Sequence, residues 1–244
     1  MAIPGLSRRA FVLLAAVPFS AAAASDRKNI SGIGFLRIRN GRANRRYLVI
    51  HGDESTARDT LIEHMKSAPG VAFLIDGRTR TVRPHLLEID PNRMFSAAGA
   101  ALSLSRLNPS ASPAAIQREL RWLDARRHQL LEALLPAPGG LLIALHNNSR
   151  GYSIQSEAPI SNRVHLPAPS TPHDFFLATS ESDFNLIARG PYNAVLQSGA
   201  RGPDDGSLSR LCAGRSIRYV NLECALGNRA AQAEMLNWLD RLLP

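Results

Sequence analysis

The feature that most constrains this chain is a set of short apolar runs, each closed by a polar residue able to do chemistry. Tyr47 to Ile50 stops at His51 and Leu141 to Leu145 at His146, while Ile217 to Leu222, interrupted by Arg218 and Asn221, stops at Glu223. Unbroken apolar runs of this length suit strands that a sheet buries on both faces. Helical patterns lie between them. Ser55 to Lys66 places Leu61, Ile62 and Met65 on one face. Ser112 to Leu135 opens on a Ser-Pro cap and carries Ile116, Leu120, Leu123, Leu130 and Leu134 as an apolar stripe, ended by Pro136 to Gly140. Val71 to Ile75, stopped by Gly77, and Tyr192 to Gln197 read as further strands, and Ala230 to Leu243 as a closing helix with Met235, Leu236 and Leu239 inward. Residues 157 to 175 hold Pro159, Pro167, Pro169 and Pro172 and read as one long loop of the kind that shapes a substrate entrance. Strand and helix in alternation predict an α/β sandwich with a largely parallel or mixed sheet.

At 244 residues, with 45% hydrophobic and 20% charged content, the chain can bury one sizeable core. The N-terminus is of a different kind. Arg8 and Arg9 precede an uncharged stretch from Val12 to Ala24 rich in Ala, Val and Leu. A paired arginine before a modest apolar segment ending in small residues is the pattern of a twin-arginine export signal. The expected organisation is therefore a leader over residues 1–24, cut near Ala21 to Ala24, and one domain over 25–244 delivered to the periplasm. The apolar stretch falls short of the about 20 residues that a permanent span needs, so no stable membrane anchor is expected. Losing Arg8 and Arg9 takes the formal charge from +9 to +7. The basic residues form no dense run and aromatics make up only 6%, which argues against a nucleic-acid partner. An anionic envelope polymer or simple solubility accounts for the excess charge equally well. Cys212 and Cys224 are the only cysteines, and their spacing leaves a disulfide between them open.

The chemistry gathers where apolar runs end, which is where an α/β sheet presents its site. In His51-Gly52-Asp53-Glu54 two ligand-capable side chains lie three apart, with a glycine between them to let the backbone turn. His146, projecting from its own run beside Asn147 and Asn148, completes a His₂Glu set with one position left for water, the donor set of a catalytic zinc site.

Between these clusters lies Asp90-Pro91-Asn92-Arg93-Met94-Phe95. H-x-x-E, then D-x-N-R-x-F, then a histidine closing an apolar strand resembles the zinc metallocarboxypeptidases of the carboxypeptidase A clan, which includes succinylglutamate desuccinylase and aspartoacylase. The resemblance covers about residues 46 to 240. It implies a three-layer sandwich with a central mixed, largely parallel sheet flanked by helices, and Zn2+ held by His51, Glu54 and His146. It also implies that Asn92 and Arg93 grip a substrate's terminal carboxylate, a task that suits the planar guanidinium fork. Glu223, late in the chain on a strand, would be the general base. Arg78 and Arg80 are candidates for the arginine that polarises the scissile carbonyl, with Arg80 taken as substrate-binding. Tyr152 and Tyr192 are candidates for a tyrosine that closes over substrate. Pro91 stands where the family pattern more often has Leu.

Asp204-Asp205-Gly206-Ser207 reads first as a turn, and His64, His85, His128, His165 and His173 receive no role. The expected activity is hydrolysis of a terminal amide in a peptide, with a peptidoglycan stem peptide as the substrate that export suggests. Alternatives are a zinc N-acetylmuramoyl-alanine amidase, a small-molecule deacylase of the aspartoacylase type, and a non-catalytic periplasmic binding protein.

Overall fold

The computed structural model describes residues 23–149, 151–199 and 203–243. The expected leader lies outside these residues apart from its last two alanines. Among the described residues no helix is long and apolar enough to cross a membrane.

The apolar runs pair as neighbours in one nine-stranded sheet of order β1-β2-β4-β3-β5-β9-β7-β8-β6. Its strands are β1 (Ala24–Ile30), β2 (Ile33–Asn40), β3 (Arg45–Val49), β4 (Gly70–Ile75), β5 (Leu141–Asn148), β6 (Arg163–His165), β7 (Phe175–Ala178), β8 (Asn193–Leu196) and β9 (Arg218–Ala225). The helices are α1 (Ser55–His64), α2 (Ala97–Leu107), α3 (Pro113–Leu134), α4 (Ile154–Glu157), α5 (Glu181–Ile187), α6 (Leu208–Gly214) and α7 (Arg229–Leu242). The sheet is mixed, and its parallel part is smaller than expected. β4, β3, β5 and β9 run parallel in the centre, β7 and β8 are parallel to each other, and the remaining four of the eight neighbouring pairs are antiparallel.

Alternation along the strands sorts side chains into two apolar clusters. On β5, Leu142 and Ala144 join Phe35, Ile50, Leu104, Leu123 and Leu208 in one cluster, while Leu141, Ile143 and Leu145 join Leu61, Met65, Phe184, Leu236 and Leu239 in the other. Helices α2, α3 and α6 thus serve the first cluster and α1, α5 and α7 the second. The same parity keeps the cysteines apart. Cys212 of α6 belongs to the first cluster and Cys224 of β9 to the second, so both are buried free thiols.

One hairpin has no counterpart in the sequence reading, and one expected loop needs correction. The β1–β2 hairpin went unread because β1 is mostly polar; it turns at Ser31 and Gly32, both at positive φ, and Arg37 grips Asp26 across it through two hydrogen bonds. Residues 157 to 175 are not a single loop. They hold a 3₁₀ turn (Ala158–Ile160), strand β6 and the first residue of β7. β6 is invisible in sequence because Arg163-Val164-His165 owes its extended form to pairing with β8, some thirty residues on, and not to its own composition.

Candidate metal centre and its cavity

β3 delivers the chain to His51, and the next three residues turn sharply into α1. Gly52 sits at the turn because a Cβ there would come within 2.8 Å of the Thr79 carbonyl oxygen and 2.9 Å of Gly77. Glu54 then occupies the N-cap of α1, so its carboxylate faces back toward His51. His146 comes from the neighbouring strand. It lies within β5 and not at its end, because β5 and β9 stay paired as far as Asn148 and Ala225. That register sets His146 directly beside Glu223. Strand parity puts Asn148 and Asn221 on the same face as both.

His51, Glu54 and His146 are all buried, and one ligand atom from each lies within 4.8 Å of the others. His51 Nδ1 is 2.8 Å from Glu54 Oε1, and His146 Nδ1 is 3.1 Å from Glu54 Oε2. The Nδ1 atoms of both imidazoles therefore converge on one carboxylate. Donors around a tetrahedral zinc at about 2.1 Å lie about 3.4 Å apart, close to these separations. Glu54 Oε2 is buried without a hydrogen bond, which a cation at this point would relieve. The donor set, its burial and that orphaned oxygen fit a divalent metal.

Asp90 supports the ligands from behind. Its Oδ1 lies 2.9 Å from His51 Nε2 and accepts the Asn92 N–H at 2.8 Å. A carboxylate on the far ring nitrogen fixes which nitrogen of a ligating histidine is free to bind. Burial works against charge on Glu54 and Asp90, yet the imidazoles prevail. Glu54 is held well below the usual carboxylate range by His146 and His51, and Asp90 is brought to about 2 by His51 and the Asn92 N–H. Burial opposes the charged form of His51 too, but Asp90 and Glu54 push it up to about 9. These directions describe a site built for positive charge.

Glu223 differs. Burial pushes its carboxyl upward and Glu54 adds to that, while His146 and the amides of Asn221 and Asn148 pull it back. Asn221 Nδ2 donates to Oε1 at 3.0 Å and Asn148 Nδ2 to Oε2 at 3.2 Å.

The site opens into a cavity of about 490 Å³. Arg80, Asn92 and Arg93 line it, as does Tyr152; Arg78 and Tyr192 do not. Tyr192 packs instead against Phe176 and Trp238 with its hydroxyl on Glu234. Arg80 Nη1 lies 3.3 Å from Glu54 Oε1 and Nε 3.9 Å from Asp90 Oδ2. Asn92 Oδ1 accepts the Leu208 N–H at 3.0 Å, which leaves its amide N–H₂ as the group for a ligand. Arg93 spends Nη1 on the Asn92 carbonyl at 3.0 Å and faces Asp205 at 3.4 Å. The turn at Asp204 to Ser207 is thereby part of the site: Phe95 N–H donates to the Gly206 carbonyl, and Gly206, at φ 75°, has no room for a Cβ beside the Arg93 carbonyl. The sequence reading gave Asp90, Asn148 and Asn221 no role. Their signal was present, since Asn148 and Asn221 lie two residues from His146 and Glu223 on the same strands.

No protein-family profile matches the chain, and no curated protein matches it. Two solved structures resemble it in shape. A provisionally named metallopeptidase from Shewanella baltica OS155 has 15% sequence identity over 89% of this chain and 86% of that one, with a TM-score of 0.42. A second from Shewanella amazonensis SB2B, named in the same way, has 14% identity over 90% and 87%, also at 0.42. At such values no activity transfers from either protein.

Proposed function

We propose that this chain is a metal-dependent hydrolase, with zinc as the ion, that cuts a terminal amide bond in a peptide. The observation that carries the reading is the convergence of His51, Glu54 and His146, all buried, with the Glu223 carboxylate held beside His146. The ion would supply Lewis acidity to a water and to the scissile carbonyl. Every other role falls to the chain. Glu223 takes the proton from the attacking water and returns it to the leaving nitrogen, a transfer that suits a carboxyl raised by burial. Arg80, reaching to Glu54, stands where it can stabilise charge developing on the carbonyl oxygen. The amide of Asn92 and the fork of Arg93 receive the substrate's free carboxylate. Asp90 keeps His51 in the ligating orientation and, through the Asn92 N–H, links the metal centre to the carboxylate cradle. The carboxypeptidase-like, three-layer fold and the twin-arginine route to the periplasm are parts of the same proposal, and a peptidoglycan stem peptide is the substrate that such a location favours.

The first test is metal content. Purified protein should carry one zinc per chain by elemental analysis, and His146→Ala should lose most of it, because two remaining ligands hold the ion poorly. Full occupancy in that variant would remove His146 from the ligand set.

A further inference from the structure

The floor of the cavity continues along β9, away from the metal centre. Tyr219 and Asn221 precede Glu223 at alternate positions and share its face, which sets Tyr219 about 13 Å down the strand at about 3.3 Å per residue. Tyr219 lines the cavity and is only 1% exposed. Its hydroxyl makes no hydrogen bond among the described residues, and unlike the Oδ1 atoms of Asn148 and Asn221 it is not sealed from solvent. A partner for it must therefore arrive through the cavity. Burial pushes the phenol well above its ordinary range, and Cys212, Glu223, Glu54 and Glu157 act in the same direction, so a ligand meets a neutral O–H.

The same row of the sheet holds a second open group. Leu177 of β7 pairs with Asn221 on one side and with Val195 on the other. Two residues further along, Tyr219 and Gln197 flank Thr179: the Thr179 N–H donates to the Tyr219 carbonyl at 3.0 Å and the Gln197 N–H to the Ala178 carbonyl at 2.9 Å. Gln197 is buried and lines the cavity with Tyr219 and Leu177. Its Nε2 donates to Glu157 Oε2 and lies 3.3 Å from Ser161 Oγ. The carboxylate fixes the amide, because a flip would set oxygen against oxygen. Gln197 Oε1 is the atom left over, without a partner among the described residues and not sealed from solvent.

The floor thus offers a neutral donor, the Tyr219 O–H, and a neutral acceptor, Gln197 Oε1. A hydrocarbon placed against them would leave both unpaired, at the cost of their desolvation. A carboxylate would meet the charges of Glu157 and Glu223. An ammonium group brings donors alone and leaves the Tyr219 proton unmatched. An amide or a hydroxyl brings both a donor and an acceptor and no charge. We propose that Tyr219 and Gln197 select a peptide whose last side chain is neutral and ends in an amide or a hydroxyl. The placing of that residue, with its free carboxylate at Asn92 and Arg93, rests on the function proposed above; the side-chain preference rests on Tyr219 and Gln197.

The test uses N-acylated dipeptides ending in glutamine, methionine, glutamate or lysine, side chains of similar length, offered to the zinc-loaded protein. The glutamine peptide should exceed each of the others in kcat/KM by about tenfold, the worth of one or two net hydrogen bonds. Tyr219→Phe removes only the hydroxyl and should bring the glutamine-to-methionine ratio toward one, through loss on the glutamine peptide. Its denaturant midpoint should equal that of wild type, since the hydroxyl holds nothing within the protein. A preference for methionine, glutamate or lysine, or a ratio unmoved by Tyr219→Phe, would overturn the pocket. A lowered midpoint would do the same by giving the hydroxyl a structural task. If no peptide is hydrolysed, the same set titrated as ligands and followed by NMR decides separately. Selective binding of the glutamine peptide, lost in Tyr219→Phe, would uphold the pocket and strike only the hydrolase reading, whereas unselective binding or none would overturn the pocket itself.

Discussion

Glu223 is one side chain whose surroundings assign it a task different from that of its neighbours. Glu54 and Asp90 sit against imidazoles and stay ionised, while Glu223 is buried between two amides with its carboxyl pushed upward. Replacing it by glutamine preserves size and hydrogen-bonding reach but removes the capacity to accept a proton. General-base assistance is worth about 10²–10⁴-fold, so kcat should fall by that order while zinc content stays at the wild-type level. Loss of zinc in Glu223→Gln would make it a ligand; retention of full activity would place the base elsewhere. Arg93 answers a different question. A lysine there keeps the charge and loses the fork, so substrates with a free carboxylate should weaken while carboxyl-amidated analogues change little. Equal losses on both, read as kcat/KM, would mark Arg93 as structural.

Elements hold these side chains by packing that leaves almost no slack. Residues 92–99 and 204–208 are far apart in the chain, yet their backbones touch. A Cβ on Gly99 of α2 would lie 2.3 Å from Gly206 Cα and 2.4 Å from the Asp205 carbonyl oxygen. Backbone cannot step aside as a flexible side chain can. Gly99→Ala should therefore destabilise the fold by about 1–3 kcal/mol, as overpacking does elsewhere, despite alanine's better helix propensity. A denaturant midpoint equal to or above wild type would show that the two segments can separate freely. β5 makes the complementary point. Its alternation aims His146 and Asn148 at the cavity and Asn147 at the opposite face, where Asn147 accepts the Ala57 N–H of α1 at 2.8 Å. Three consecutive polar residues, so alike in sequence, serve two sides of the sheet.

At the scale of the molecule, the site sits near the middle of the sheet, where β3, β5 and β9 run parallel, and the outer strands extend the platform. The exposed β1 edge carries Asp26, Arg27 and Lys28, charges that discourage edge-to-edge association. Delivery of the whole chain across a membrane is the proposal tied to Arg8 and Arg9. Changing the pair to lysines should hold the precursor in the cytoplasm, as cell fractionation would show; normal periplasmic yield would point to another route or to none.

The alternation of apolar runs with amphipathic stretches was enough to place the central strands, α1, α3 and α7, because burial on both faces leaves a local and continuous signature. It was also enough to nominate His51, Glu54 and His146, since a ligand that closes an apolar run stands out from its neighbours. β1, β6 and the short helices left no comparable mark. They owe their form to distant partners: the Ser31-Gly32 turn and Arg37 for β1, β8 for β6, and the 92–99 segment for the start of α6. The sequence contained Asn148 and Asn221, but not the fact that both amides would donate to the Glu223 carboxylate. Only the β5–β9 register brought those groups together, because strand pairing between segments some seventy residues apart decides which side chains share a face.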